Sequence, residues 1–309
     1  MVMTDEEAAS YDEFGMLQIY ADYEGLPWNG RPVVARRSFE VTSGQRLSAL
    51  VWGEGDPELV FLHGGGQNAH TWDSVAMALD RPLIAIDLPG HGHSDWREDR
   101  NYTPEASAHA IAEVVAAVAP EAKAVVGMSM GGLTNIHLAA SRPDLVRRAI
   151  IVDVLPATGQ RAQALSPEQR GAVALVGGPP TFDSFDEMLK AVAAAVPGRP
   201  IESFVPGVLH NAKRLDDGKW AWRYDRLRHE GDGPIDFTSL WDHLASIQAP
   251  LMLVRGGKSA FVHDEDEAKL RELQPAARVE SVEGAGHSVQ SDRPVVLARL
   301  IADFLASAE

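Results

Sequence analysis

Short apolar runs alternate with helical periodicity along most of this chain. Strands are predicted at Ser38–Thr42 and Leu47–Trp52, paired as a hairpin around Ser43-Gly44. Further strands are predicted at Glu58–Leu62, Pro82–Ile86, Lys123–Val126, Arg148–Val152, Leu251–Val254 and Arg278–Val282. Between and after them, helical patterns occupy about Thr103–Val118, Met130–Ala140 and Val295–Leu305. Apart from Arg278–Val282, the strands expected to be parallel are near-continuous apolar runs, as expected of strands covered on both faces. Such an alternation implies an α/β fold, with a mostly parallel sheet flanked by helices.

Two segments break the alternation. Residues 155–248 offer helical patterns at Pro167–Val176, Phe185–Val196 and Phe237–Ile247, with no convincing strand pair. Phe204, Trp220, Trp222, Tyr224 and Trp241 concentrate there, so the segment is expected to form a helical cap inserted into the sheet domain. Residues 1–36 are acidic and polar, broken by Pro27, Gly30 and Pro32, and are expected to be a mobile arm on which Tyr11, Phe14, Tyr20 and Trp28 offer places to pack down. The expected organisation is an arm (1–36), a core built from 37–154 and 249–309, and a cap (155–248).

Composition narrows the chemistry. The 309 residues carry a formal net charge of -16, which disfavours phosphate backbones and anionic membranes as partners. No cysteine is present, so disulfides, zinc–thiolate sites and a cysteine nucleophile are excluded. The N-terminal MVMTDEEAAS has acidic residues where a secretory signal needs basic ones, and no run approaches the roughly 18 apolar residues of a membrane span. A cytoplasmic enzyme acting on a small molecule is the expectation, with a homodimer left open.

Gly127-Met128-Ser129-Met130-Gly131-Gly132 fits G-x-S-x-G between a predicted strand and a predicted helix. That setting lifts a serine hydroxyl clear of the sheet, and glycines on either side let strand and helix backbones nearly touch. Ser129 is therefore the candidate nucleophile. A serine needs a base. Of 11 histidines, His287 is the candidate, because it follows the last strand in Gly284-Ala285-Gly286-His287-Ser288. The third group is less plain. Asp153 ends the strand AIIVD, an unusual place for a purely structural charge, and is favoured. Asp264 and Asp266, in the acidic first turn of a helix, and a dyad assisted by Ser259 are the alternatives. His63-Gly64-Gly65-Gly66 follows a strand, so oxyanion donors are expected from the N–H groups of Gly65 and Met130. His63 itself reads as structural. Trp72 is expected either to line the substrate pocket or to pack the first helix on the sheet. His91-Gly92-His93-Ser94-Asp95 begins like a metallo-hydrolase signature, but Trp96 stands where another histidine is needed. No metal and no cofactor are expected.

The segments LVFLHGGG, IAIDLPGHGHS, VVGMSMGG, IIVDV and VEGAGHS, in that order, resemble the α/β-hydrolase superfamily from about residue 37 to the end. The resemblance implies an eight-stranded, mostly parallel sheet with a cap and a Ser-His-Asp triad. In detail the chain is similar to small bacterial esterases and their mitochondrial relatives, which place the acid before the cap and a serine in the usual acid position. Asp153 and Ser259 match that pattern. The implied activity is hydrolysis of carboxylic esters, with thioesters and lactones as related substrates. Carbon–carbon bond hydrolysis, acyl transfer and perhydrolysis use the same triad, and a ligand receptor that retains it is the non-enzymatic alternative. The long acidic arm departs from those compact enzymes.

Overall fold

The computed structural model describes residues 3–162, 179–195, 200–225 and 236–307. Eight strands form one sheet. In chain order they are β1 (Val34–Glu40), β2 (Arg46–Trp52), β3 (Leu59–Leu62), β4 (Leu83–Ile86), β5 (Ala124–Met128) and β6 (Ala149–Val152). A second, smaller sheet contributes β7 (Thr181–Phe182), β8 (Ala212–Arg214) and β9 (Trp220–Trp222). The main sheet is completed by β10 (Leu251–Gly256) and β11 (Arg278–Val282), giving the spatial order β1-β2-β4-β3-β5-β6-β10-β11. Only the β1–β2 and β2–β4 pairs are antiparallel.

Alternation along the central strands divides the core into two layers. Val60 and Leu62 of β3 and Leu251 and Leu253 of β10 face one layer, which is closed by α4 (Pro104–Val118), α5 (Met130–Ser141) and the helix Leu240–Ser246. Leu59 and Phe61 with Met252 and Val254 face the other, closed by α2 (Leu17–Glu24), α3 (Asp73–Leu79) and the helix Pro294–Ala306. Both faces are therefore sealed, which explains why these strands read as unbroken apolar runs. Thr103 caps α4 by accepting from the Ala106 N–H at 3.2 Å, and Pro104 takes the first helical position, where its missing N–H costs nothing.

The insert leaves the sheet after β6 and returns at β10, and these two strands are paired neighbours. It differs from the all-helical expectation. Strands β7, β9 and β8 form a three-stranded antiparallel sheet, which packs with the helices Phe185–Ala195 and Val205–Asn211 around its own core of Phe182, Phe185, Met188, Trp220, Trp222 and Tyr224. Strands of two or three residues are too short to show a period of two. The pattern at Pro167–Val176 lies outside the described residues.

The N-terminal segment also departs from the expected mobile arm. It folds into α1 (Asp5–Ala9) and α2, each packed on a different body. Ala8 enters the insert's core, and Asp5 accepts from the Phe185 N–H at 2.8 Å. Leu17 and Ala21 of α2 are buried, with Leu17 in the second core layer. Between the two helices lies a charged cluster at the junction. Glu13 accepts from the Arg36 guanidinium at 2.6 Å and from His70 Nε2 at 3.0 Å, while His70 Nδ1 donates to Asp73 at 2.8 Å. Both ring nitrogens of His70 face carboxylates, which only accept, so the ring is an imidazolium. It stacks on His210 of the insert, with centroids 3.7 Å apart and planes 10° apart. Burial would lower the His70 pKa, but Asp73 and Glu13 hold it up at about 9. Burial would likewise raise Glu13, but hydrogen bonds from His70 and Arg36 pull it down to about 2.

These shifts set a pH window. The folded pKa of His70 lies above the ordinary value near 6.5, so its contribution to stability is complete below about pH 6.5 and fades as pH rises through about 9. Glu13 contributes above about pH 4.5 and loses its contribution only as pH falls toward about 2. The melting temperatures of wild type and His70→Gln should therefore differ most near pH 6 and converge toward pH 10. A gap that stays constant or widens with pH would rule out a charged His70.

Candidate active site

Three loops at the C-terminal edge of the parallel strands bring Ser129, His287 and Asp153 into one hydrogen-bonded row. Ser129 sits between β5 and α5 at φ 51°, ψ -117°, a strained conformation for a residue with a side chain. The flanking glycines permit it. A Cβ on Gly127 would lie 2.2 Å from the Gly131 carbonyl oxygen, and one on Gly131 would lie 2.4 Å from that of Leu62. The Gly131 N–H donates to the His63 carbonyl at 3.0 Å and ties the start of α5 to the turn after β3.

Asp153 is fully buried, with φ 50°. One carboxylate oxygen accepts from the Gly256 N–H at 2.8 Å. The other accepts from the Ser259 hydroxyl and, at 2.7 Å, from His287 Nδ1. A carboxylate accepts only, so Nδ1 carries the imidazole proton and Nε2 is free to accept from the Ser129 hydroxyl, 3.0 Å away. Phe261 stacks on the His287 ring, with centroids 3.6 Å apart and planes 11° apart. From the sequence, Ser259 reads as an aid to a dyad. Here it donates to Asp153 and accepts from the Phe261 N–H at 3.1 Å, so it braces both the acid and the stacking ring. Phe261 was not foreseen, because nothing in the local pattern marks an aromatic that meets a histidine 26 positions later in the chain.

Asp264 and Asp266 do not join the row. Asp264 is exposed and pairs with Arg255 at 2.5 Å. Asp266 pairs with Arg161 and accepts from the His263 N–H at 2.9 Å, closing the N-terminus of the helix Asp264–Leu273. Their acidity serves a helix start, where the macrodipole favours it.

The HGGG turn lies against the serine. A Cβ on Gly64 would fall 2.6 Å from Met128 Sδ and 3.3 Å from Ser129 Cβ, so a side chain there would have to displace Met128 and crowd the serine. His63 is buried beneath the turn. Its Nε2 accepts from the Leu88 N–H at 2.9 Å and its Nδ1 donates to the Gly64 carbonyl at 2.8 Å. Burial lowers its pKa, so the ring is neutral and structural. Neither Gly65 nor Met130 donates its backbone N–H to an acceptor among the described residues. Trp72 packs against Phe61, with ring centroids 4.9 Å apart, and belongs to the second core layer, the packing role of its two expected roles.

His91 and His93 gain no third ligand among the described residues. His91 Nδ1 donates to the Pro89 carbonyl at 3.0 Å, and burial drives its pKa down to about 3. The segment instead wraps Asp87, which accepts from Arg36 at 2.7 Å and from the His93 N–H at 3.0 Å. No helix among the described residues is long and apolar enough to cross a membrane.

Comparison with known proteins identifies the family. Residues 59–300 match the model of the alpha/beta hydrolase family. The esterase Rv0045c of Mycobacterium tuberculosis is 48% identical over 98% of this chain and 99% of its own. A solved structure of that esterase, from work on its transition metal inhibition and structural refinement, superposes with a TM-score of 0.82 over 96% of this chain and 99% of that one. An sn-1-specific diacylglycerol lipase of Mus musculus, ABHD11, is 28% identical over 81% of each chain.

Proposed function

This chain belongs to the alpha/beta hydrolase family and is a carboxylic-ester hydrolase, and we propose that it works through an acyl-enzyme formed on Ser129. The observation that supports this reading best is the row Ser129–His287–Asp153, with links of 3.0 and 2.7 Å. The Ser129 oxygen attacks the ester carbonyl while His287 Nε2 takes its proton. Charge develops on the carbonyl oxygen, where the N–H groups of Gly65 and Met130 receive it. His287 then returns the proton to the leaving alcohol. Water enters, loses a proton to the same nitrogen and releases the acid. Asp153 keeps Nδ1 protonated and stabilises the imidazolium at each stage. Thioesters and lactones present the same carbonyl and are accepted by the same steps. The insert between β6 and β10 acts as the cap that excludes water and selects the small-molecule ester.

A p-nitrophenyl ester series from acetate to decanoate tests this reading. Turnover with a clear chain-length optimum is expected. Absence of turnover on every member, with no covalent labelling by a fluorophosphonate, would remove the acyl-enzyme from consideration.

The bracing of Asp153 gives a graded expectation. Ser259→Ala should lower kcat about tenfold with little change in KM, because Asp153 keeps the Gly256 N–H and His287 as partners. An unchanged kcat would show that the Ser259 hydroxyl does not position the acid.

A further inference from the structure

We propose that Glu105, His109 and His137 form a site for a divalent transition metal ion of the zinc type, on the face of the core formed by α4 and α5. Glu105 and His109 stand four residues apart on α4, which places them on one face. His137 projects from the neighbouring α5. One ligand atom from each of the three lies within 4.8 Å of the others. None of the three side chains has a hydrogen-bond or ion-pair partner among the described residues, although the His109 and His137 rings meet edge to face at 6.0 Å. Two imidazoles and a carboxylate are a familiar donor set for zinc, with bonds near 2.0–2.1 Å that put neighbouring ligand atoms about 3.3 Å apart. Glu105 and His109 are exposed, so their side chains are free to swing the remaining distance. His243, on the helix Leu240–Ser246, lies over His137 with ring centroids 4.6 Å apart and supplies a further imidazole beside the group.

The contrast with the other cluster of this composition supports the choice. His70, Asp73 and His210 are equally close, but both His70 nitrogens are already spent on carboxylates, and Arg36 stands 3.4 Å away. A cation there would have to displace an imidazolium beside a guanidinium. The α4–α5 group has no such competitor. The third ligand, His137, is 28 residues away from His109 in the chain and comes near only through the packing of α4 on α5. A bound ion would cross-link α4 to α5, the helix that begins at the Ser129 turn.

The full-length protein, stripped with a chelator, is titrated with Zn²⁺ by calorimetry and with Co²⁺ by visible absorption. One equivalent is expected to bind with a ligand-field spectrum and a raised melting temperature, because an ion that prefers the folded state stabilises it. His109→Ala and Glu105→Gln should each weaken binding at least about tenfold and lose the thermal shift, while ester hydrolysis without metal stays at the wild-type level. Two results overturn the proposal. One is no binding by wild type at millimolar metal. The other is wild-type affinity in His109→Ala, as would follow if the ion were held at His287 instead.

Discussion

Ser129→Ala should retain the wild-type fold and lose ester hydrolysis by a factor on the order of 10⁶ in kcat. No other hydroxyl reaches His287 in the described structure, so nothing replaces the lost nucleophile. What activity remains comes from substrate binding and the oxyanion donors acting on bound water. The strained backbone at residue 129 stays, since φ 51° is set by the contacts of Gly127 and Gly131 rather than by the serine side chain. The measurement is single-turnover and steady-state hydrolysis of the best p-nitrophenyl ester, with circular dichroism to verify the fold. A residual rate within a factor of about ten of wild type would exclude Ser129 as the nucleophile, because removing a true nucleophile cannot be so mild.

Asp153→Asn should lower kcat by about 10⁴ with a small effect on KM. The amide preserves the shape but reverses the polarity of the two hydrogen bonds made by one carboxylate oxygen. Its NH₂ group faces His287 Nδ1, so the imidazole proton moves to Nε2 and the ring can no longer accept from Ser129. The same NH₂ would face the Ser259 hydroxyl, which can rotate to accept. The loss therefore falls on catalysis more than on stability. Asp264→Asn is the matched control. Its carboxylate faces Arg255 on the surface, so activity should be unchanged. Reversal of that pair of outcomes would reassign the acid.

How far these groups could be read from the sequence depended on whether their partners were close in the pattern. Ser129, Asp153 and His287 each follow a predicted strand, so their common edge of the sheet was foreseeable before any coordinates. The eight-stranded sheet followed from strands long enough to show their burial. The short strands of the insert, such as Thr181–Phe182, carry too few residues for any period, and their pairing is fixed by tertiary contact. Residues 5–24 looked unstructured because their apolar positions serve two bodies. Ala8 faces the insert and Leu17 the main core, so neither body alone accounts for the pattern. Trp72 illustrates the opposite difficulty. A tryptophan near a glycine-rich turn reads equally well as a pocket wall or as packing, and only its contact with Phe61 decides.

The N-terminal helices bear on how this architecture could be recombined. The insert enters and leaves the sheet on adjacent strands, β6 and β10, so by topology it is an exchangeable cassette. Its seating, however, depends on a segment more than a hundred residues upstream, through Asp5, Ala8 and Tyr11, and on the core's His70, which stacks on His210. A chimera that trades residues 155–248 alone would inherit a cassette without its fastening. The heritable module is discontinuous, and an exchange that keeps the new insert firmly seated has to carry residues 5–11 with it and leave Leu17 and Ala21 on the core they pack against.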